Sequence, residues 1–120
     1  MKMKSLLFAF ASLLICTALV AQDPIVIPGG AENGGQLETI INGDTTATGE
    51  RNNPNQVYEL EAGQFYLMHA AINISNPDGT LTIRGQEGGP KPVILKQPLN
   101  EVAVGANQIN SSLVLQNIQY

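Results

Sequence analysis

The feature that most constrains this fold is a series of short β-type runs divided by turn residues. From Gln56 onward come Val57-Tyr58-Glu59-Leu60, Phe65-Tyr66-Leu67, Ile72-Asn73-Ile74, Leu81-Thr82-Ile83, Val93-Ile94-Leu95, Val102-Ala103-Val104 and Leu113-Val114-Leu115. β-Branched and aromatic residues favour extended backbone, and the Gly, Asn and Pro between the runs interrupt it. Ala62-Gly63, Asn76-Pro77-Asp78-Gly79, residues 85–92 and Gly105-Ala106-Asn107 are the turn signals. Each run has three or four residues, shorter than the roughly five or six of typical strands. The runs centred on 73, 94 and 114 form one spaced series, and Tyr58, Thr82 and Ala103 form another. A period near 21 to 24 residues predicts a β-solenoid, in which equivalent side chains stack from coil to coil. A β-sandwich is the alternative and requires these runs to merge into longer strands.

The region before Gln56 has a different texture. Residues 22–35 hold Pro24, Pro28 and four glycines around Ile25-Val26-Ile27, an extended leader or an edge strand. Leu37, Ile40 and Ile41 stand at i, i+3 and i+4, which predicts a short helix over 36–43 with Gly43 at its C-terminal cap. Residues 44–55 read as a polar loop and 56–120 as the first coils. A solenoid exposes apolar side chains and unpaired backbone at its ends, and the helix is expected to cap one end. The pattern stops at Tyr120 in mid-coil. This reads as the front of a longer protein, or, if complete, as a chain whose open edge invites self-association.

Residues 1–21 read as a signal peptide. Lys2 and Lys4 precede an uncharged apolar stretch over 6–20, and the small Ala21 precedes Gln22-Asp23. The stretch is shorter than the roughly 20 residues of a membrane span, so no membrane association is expected after cleavage. Leu13-Leu14-Ile15 before Cys16 are too bulky for lipoprotein processing. Cleavage removes the single cysteine, so the exported chain has no disulfide, a pattern that suits a bacterial secreted or cell-surface protein. The chain carries a net charge of −4, and without Lys2 and Lys4 the remainder carries −6, which excludes ordinary nucleic-acid binding.

With the helix at 36–43, the strand–Gly turn–strand VYELEAGQFYL, AINIS and GTLTIRGQEGGPKPVIL in view, residues 37–94 resemble the N-terminal part of a pectate-lyase-like parallel β-helix protein. The resemblance implies an all-β fold, a right-handed parallel β-helix with a short N-terminal capping helix. It implies a non-catalytic front portion of an exported protein that binds or cleaves polysaccharide, as a lyase or glycoside hydrolase with its active site outside this segment. Calcium is implied for the full-length protein only, and none of the family's calcium-holding acids or its basic residue maps onto a position here. The alternative is a cell-surface structural or adhesive solenoid without activity. The 44–55 loop is longer than a simple link from cap to first strand.

No catalytic, cofactor or metal residue is assigned. His69 is the single histidine and has no Ser, Cys or acid at readable spacing. Glu59 and Glu61 are the nearest acids on one strand, and no D-x-D-x-D-G calcium loop is present. Arg84 suits a carboxylate, either a uronate or one within the protein, and the internal pair is the expected one. Asp78-Gly79 and Gly88-Gly89-Pro90 mark turns rather than phosphate loops. Asn73-Ile74-Ser75 and Asn110-Ser111-Ser112 match the glycosylation triplet by chance in a bacterial setting. Eleven Asn and nine Gln suggest turn amides or stacked amide ladders. The chain has no Trp, which disfavours a sugar-binding module built on aromatic stacking.

Overall fold

A computed structural model describes residues 23–100 and 102–120. Residues 1–22, with Cys16 and the 1–21 stretch expected to be a signal peptide, and Glu101 lie outside the described residues. The elements are β1 (Ile25–Ile27), a 3-10 turn (Ala31–Asn33), α1 (Gln36–Gly43), β2 (Val57–Leu60), β3 (Phe65–Met68), β4 (Asn73–Gly85), β5 (Val93–Lys96) and β6 (Gln108–Gln116). One sheet has the order β1-β2-β4-β6 and the other pairs β3 with β5, all in parallel.

This arrangement corrects the expected fold class. The described residues form an α/β domain of parallel sheets with one α-helix, not an all-β right-handed parallel β-helix, and no solenoid is detected among them. Adjacent parallel strands β1 and β2 are joined by a crossover that contains α1, so the helix is part of a βαβ connection. The register is not periodic. Ile25 pairs with Tyr58, Val57 with Thr82, Phe65 with Val93 and Asn73 with Gln108, offsets that run from 25 to 35 residues. The spaced sequence series is not stacked either. Ile74 lies beside Ile109, Ile94 beside Tyr66 and Leu115 beside Ile83. Parallel pairing also excludes the antiparallel sandwich.

Two runs read as separate are one strand. β4 spans 13 residues and joins Asn73-Ile74 of the first run to Leu81-Thr82-Ile83 through an irregularity between Asn76 and Thr80. The Asn76-Pro77-Asp78-Gly79 turn signal therefore becomes a bulge, a place where Pro77's missing N–H costs no ladder bond. Asn76 is buried and donates Nδ2 to the Pro54 carbonyl at 2.7 Å. Gly79 packs so close to Pro54 and Asn76 that a Cβ would collide with both. By contrast Val102-Ala103-Val104 forms no strand; Val102 makes only an isolated bridge with Leu99.

Inward side chains alternate along each strand. Tyr58 and Leu60 on β2, Ile74, Leu81 and Ile83 on β4, Tyr66 and Met68 on β3 and Ile94 on β5 form one core with Ile27, Leu37, Ile41 and Ile72. Burial of each such aliphatic side chain contributes roughly 1.5–3 kcal/mol. The helix closes the core with Leu37 and Ile41, and its other face orders the link from β3 to β4. Glu38 Oε1 accepts the His69 and Ala70 N–H groups at 2.7 and 3.0 Å. One turn on, Asn42 donates to Ala71 O and accepts from Asn73 N. Glu38 is 3% exposed, so its loss would leave two backbone donors without partners. Glu38→Ala is expected to destabilise the chain by about 2–3 kcal/mol, read as the urea midpoint at unchanged m-value. A midpoint within error of the parent would refute this role.

Candidate functional site

The polar loop 44–55 contains the most deeply placed cation of the described residues. Thr46 N–H donates to the Glu50 carbonyl and Thr45 bridges Arg51, so the loop folds back on itself. Arg51 is thereby inserted, 9% exposed, at the C-terminal end of α1. Its guanidinium donates to the Ile41 carbonyl and to the Tyr58 hydroxyl. A cation there satisfies an orphan carbonyl and opposes the negative end of the helix dipole. Tyr58 donates onward to Asp44 Oδ2 at 2.7 Å, and Asn52 donates to Asp44 Oδ1. Burial, first, and the bond to Asp44 push the Tyr58 phenol well above its ordinary range, against the opposing effect of Arg51. Tyr66 forms a second staple, donating to Ile27 O at 2.6 Å while accepting from Glu61 N, and burial raises its pKa too. Arg51, Tyr58 and Tyr66 are buried and spend their polar atoms on partners within the protein, and the network reaches the surface at the Asp44–Asn52 bond.

The outward rows differ. Glu59 on β2, Arg84 on β4 and Gln116 on β6 are in register, so three polar side chains cross neighbouring strands roughly 4.8 Å apart. Arg84 Nε and Nη2 donate to Glu59 Oε2 at 3.0 and 2.9 Å, and Gln86 donates to Glu59 Oε1 at 3.3 Å. The Arg84 side chain is still 41% exposed. Past the strand ends, Asn117 turns through a positive φ of 53° and donates its amide to the Gly85 and Gln86 carbonyls. Gly85 permits this approach, since a Cβ there would collide with the Asn117 carbonyl and the Pro92 ring. The result is a groove of about 540 Å³ floored by Gly85 and walled by Glu59, Arg84, Gln86, Glu87, Gln116 and Asn117. It holds two carboxylates, one guanidinium and three amides. That set offers donors and acceptors side by side with a small net negative charge.

Arg84 has its carboxylate within the protein. Glu59 and Glu61 part company, because Glu61 accepts from Gly29 N at 2.9 Å instead of lining the groove. His69 Nδ1 donates to the Gln97 carbonyl at 3.0 Å, and its ring packs on Gly34 and Gly35. Asn73 and Asn110 lie on exposed positions of β4 and β6. The amides mostly bond backbone or serine: Asn110 reaches Ser75 Oγ and Asn107 receives Ile72 N. Gln86, Gln116 and Asn117 escaped the sequence reading. They do not resemble a motif, and only the three-strand register reveals them as neighbours.

Among the described residues no cluster of three or more His, Cys, Asp or Glu side chains could hold a metal, and no helix is long and apolar enough to cross a membrane. Comparison with protein-family models, curated proteins and solved structures yields no match, so none of them identifies a pectate-lyase-like relative.

The buried phenols couple folding to alkaline pH. A tyrosine whose folded pKa lies above its unfolded value of about 10 contributes stability that is full below pH 10 and is lost as pH rises through the folded value. Stability against urea should therefore decline above about pH 10. Tyr58→Phe should flatten that decline, with Tyr66 and Tyr120 retaining part of it. At pH 8 the same substitution should cost about 1–3 kcal/mol, because Asp44 and Arg51 lose their shared partner. An alkaline slope identical to the parent's would refute the Tyr58 assignment.

Proposed function

We propose that this chain is an exported, non-catalytic polysaccharide-binding protein whose contact surface is the Glu59–Arg84–Gln116 groove. The observation that carries the reading is the in-register row of planar polar side chains beside an open groove. A sugar hydroxyl both donates and accepts, and the mix of carboxylate, guanidinium and amide groups matches that duality. The signal-type segment over 1–21 supports export. Both Glu59 oxygens are committed to Arg84 and Gln86, so this carboxylate is a poor general acid for glycosidic cleavage, which supports a binding role. A uronate would have to compete with Glu59 for Arg84 and would meet Glu87 as well. The reading therefore favours neutral polysaccharides.

The test is calorimetric titration of the purified protein with neutral and uronate oligosaccharides. Binding to a neutral oligosaccharide is expected. It should weaken at least ~10-fold in Arg84→Ala and in Gln116→Ala, with thermal midpoints near the parent's because an exposed ion pair contributes about 0–1 kcal/mol. Absence of binding to any polysaccharide, or binding that both variants retain, would overturn the proposal and leave the structural or adhesive alternative.

A further inference from the structure

Among the described residues that wall the groove, Arg84 is the only basic one, and Glu59 holds it. Arg84 spends Nε and Nη2 on a single oxygen, Glu59 Oε2, so its Nη1 has no acceptor among the described residues. Glu59 is held in turn by Gln86, whose Nε2 donates to Glu59 Oε1. Gln86 is itself fixed at two points: its N–H donates to the Leu60 carbonyl at 2.8 Å, and its Oε1 accepts from Ala62 N at 3.3 Å. An amide whose oxygen is engaged by an N–H presents its NH2 to the next partner, so Gln86 donates to Glu59 and aims it. The Glu59 side chain is 18% exposed, less than half the exposure of Arg84. Four registered residue pairs already join β2 to β4, so the strands do not depend on this ion pair.

We propose that Glu59 is the specificity-determining residue of the groove: it masks Arg84 and so excludes acidic sugars, and without its charge the same groove takes a uronate. The proposal rests on the polysaccharide-binding reading above and names the residue that sets the ligand class. A planar carboxylate is the strongest partner of a guanidinium, because two parallel N–H groups can donate to its two oxygens. A half-exposed arginine in a groove would by itself select acidic sugars. Glu59 fills that role from within the protein, and Glu87 on the wall adds a second negative charge. A uronate therefore meets like charges and an occupied cation. A neutral hydroxyl displaces nothing, since it can accept from the unspent Nη1 and donate to a carboxylate oxygen. An ion pair this exposed exchanges partners at little cost in stability, so the charge on Glu59, and not a rigid lock, carries the discrimination. A pair that only staples the strands predicts the opposite: its loss lowers stability and adds no binding.

The experiment is calorimetric titration of the purified protein with a uronate tetrasaccharide and with its methyl ester, which has the same linkages and no charge. The parent is expected to bind the ester and to take the acid at least ~10-fold more weakly. Glu59→Gln keeps the shape and removes the charge, and should bind the acid at least ~10-fold more tightly than the parent does, a gain that added salt reduces. Glu59→Thr, uncharged and suited to a strand, should show the same gain if Glu59→Gln folds poorly. Adding Arg84→Gln to either variant should abolish it. Glu50→Gln, at an exposed acid of the 44–55 loop, changes net charge equally and should gain nothing. A parent that binds acid as tightly as ester, a Glu59→Gln variant that gains no acid binding, or a gain that survives Arg84→Gln or appears in Glu50→Gln would each overturn the proposal. A parent that binds neither probe while Glu59→Gln takes the acid would sustain the masking role and overturn the neutral-polysaccharide reading.

Discussion

Parallel pairing sets the terms of this structure. A strand that pairs in parallel with an earlier one must first be carried back to the same end of the sheet, and no tight turn can do this. Every connection in the larger sheet is therefore long and must find its own stability. The β1–β2 connection contains α1, the β2–β4 connection contains β3, and the β4–β6 connection contains β5. β3 and β5 then pair with each other, so the return paths become the second sheet. The core lies where these return paths face the main strands.

Long connections bring backbone polar groups into the interior, and each needs a partner. The buried polar side chains serve that need more than they serve chemistry. Glu38 and Asn42, four residues apart on one helix face, bond the backbone of residues 69–73. Arg51 caps a carbonyl of α1, Tyr66 holds Ile27 O, and Asn76 holds Pro54 O across the bulge. One buried Glu38 oxygen, Oε2, has no partner. The outward rows carry no such obligation, which leaves Glu59, Arg84 and Gln116 free to form a surface groove.

How much of this was legible in the sequence varies with range. The spacing of Leu37, Ile40 and Ile41 indicates the helix, because 3.6-residue periodicity is a local property. Ile25-Val26-Ile27 and most β-type runs are visible for the same reason, although Val102-Ala103-Val104 has the composition without a neighbouring strand to pair with. Pairing is a long-range property, and there the reading failed. Equal spacing of 73, 94 and 114 looked like a coil repeat, whereas the strands at those positions face other partners. The turn signal at 76–79 was genuine but marks a bulge, since β6 is long enough to hold both halves of β4. Arg51 was unreadable in a loop of turn residues, as its helix carbonyl, phenol and carboxylate partners are brought together only by folding. The groove was half legible. Arg84 invited a carboxylate, but Gln86, Gln116 and Asn117 come from strand ends distant in sequence.

The central claim is that the outward polar row, and not the apolar cleft around Leu37, Met68 and Leu113, meets the polysaccharide. The most direct measurement is a map of backbone amide chemical shifts during titration with a neutral oligosaccharide. The account predicts changes concentrated at Glu59, at residues 84–87 and at Gln116 and Asn117. Changes confined to the cleft around Leu37, Met68 and Leu113, or no changes at saturating sugar, would contradict it.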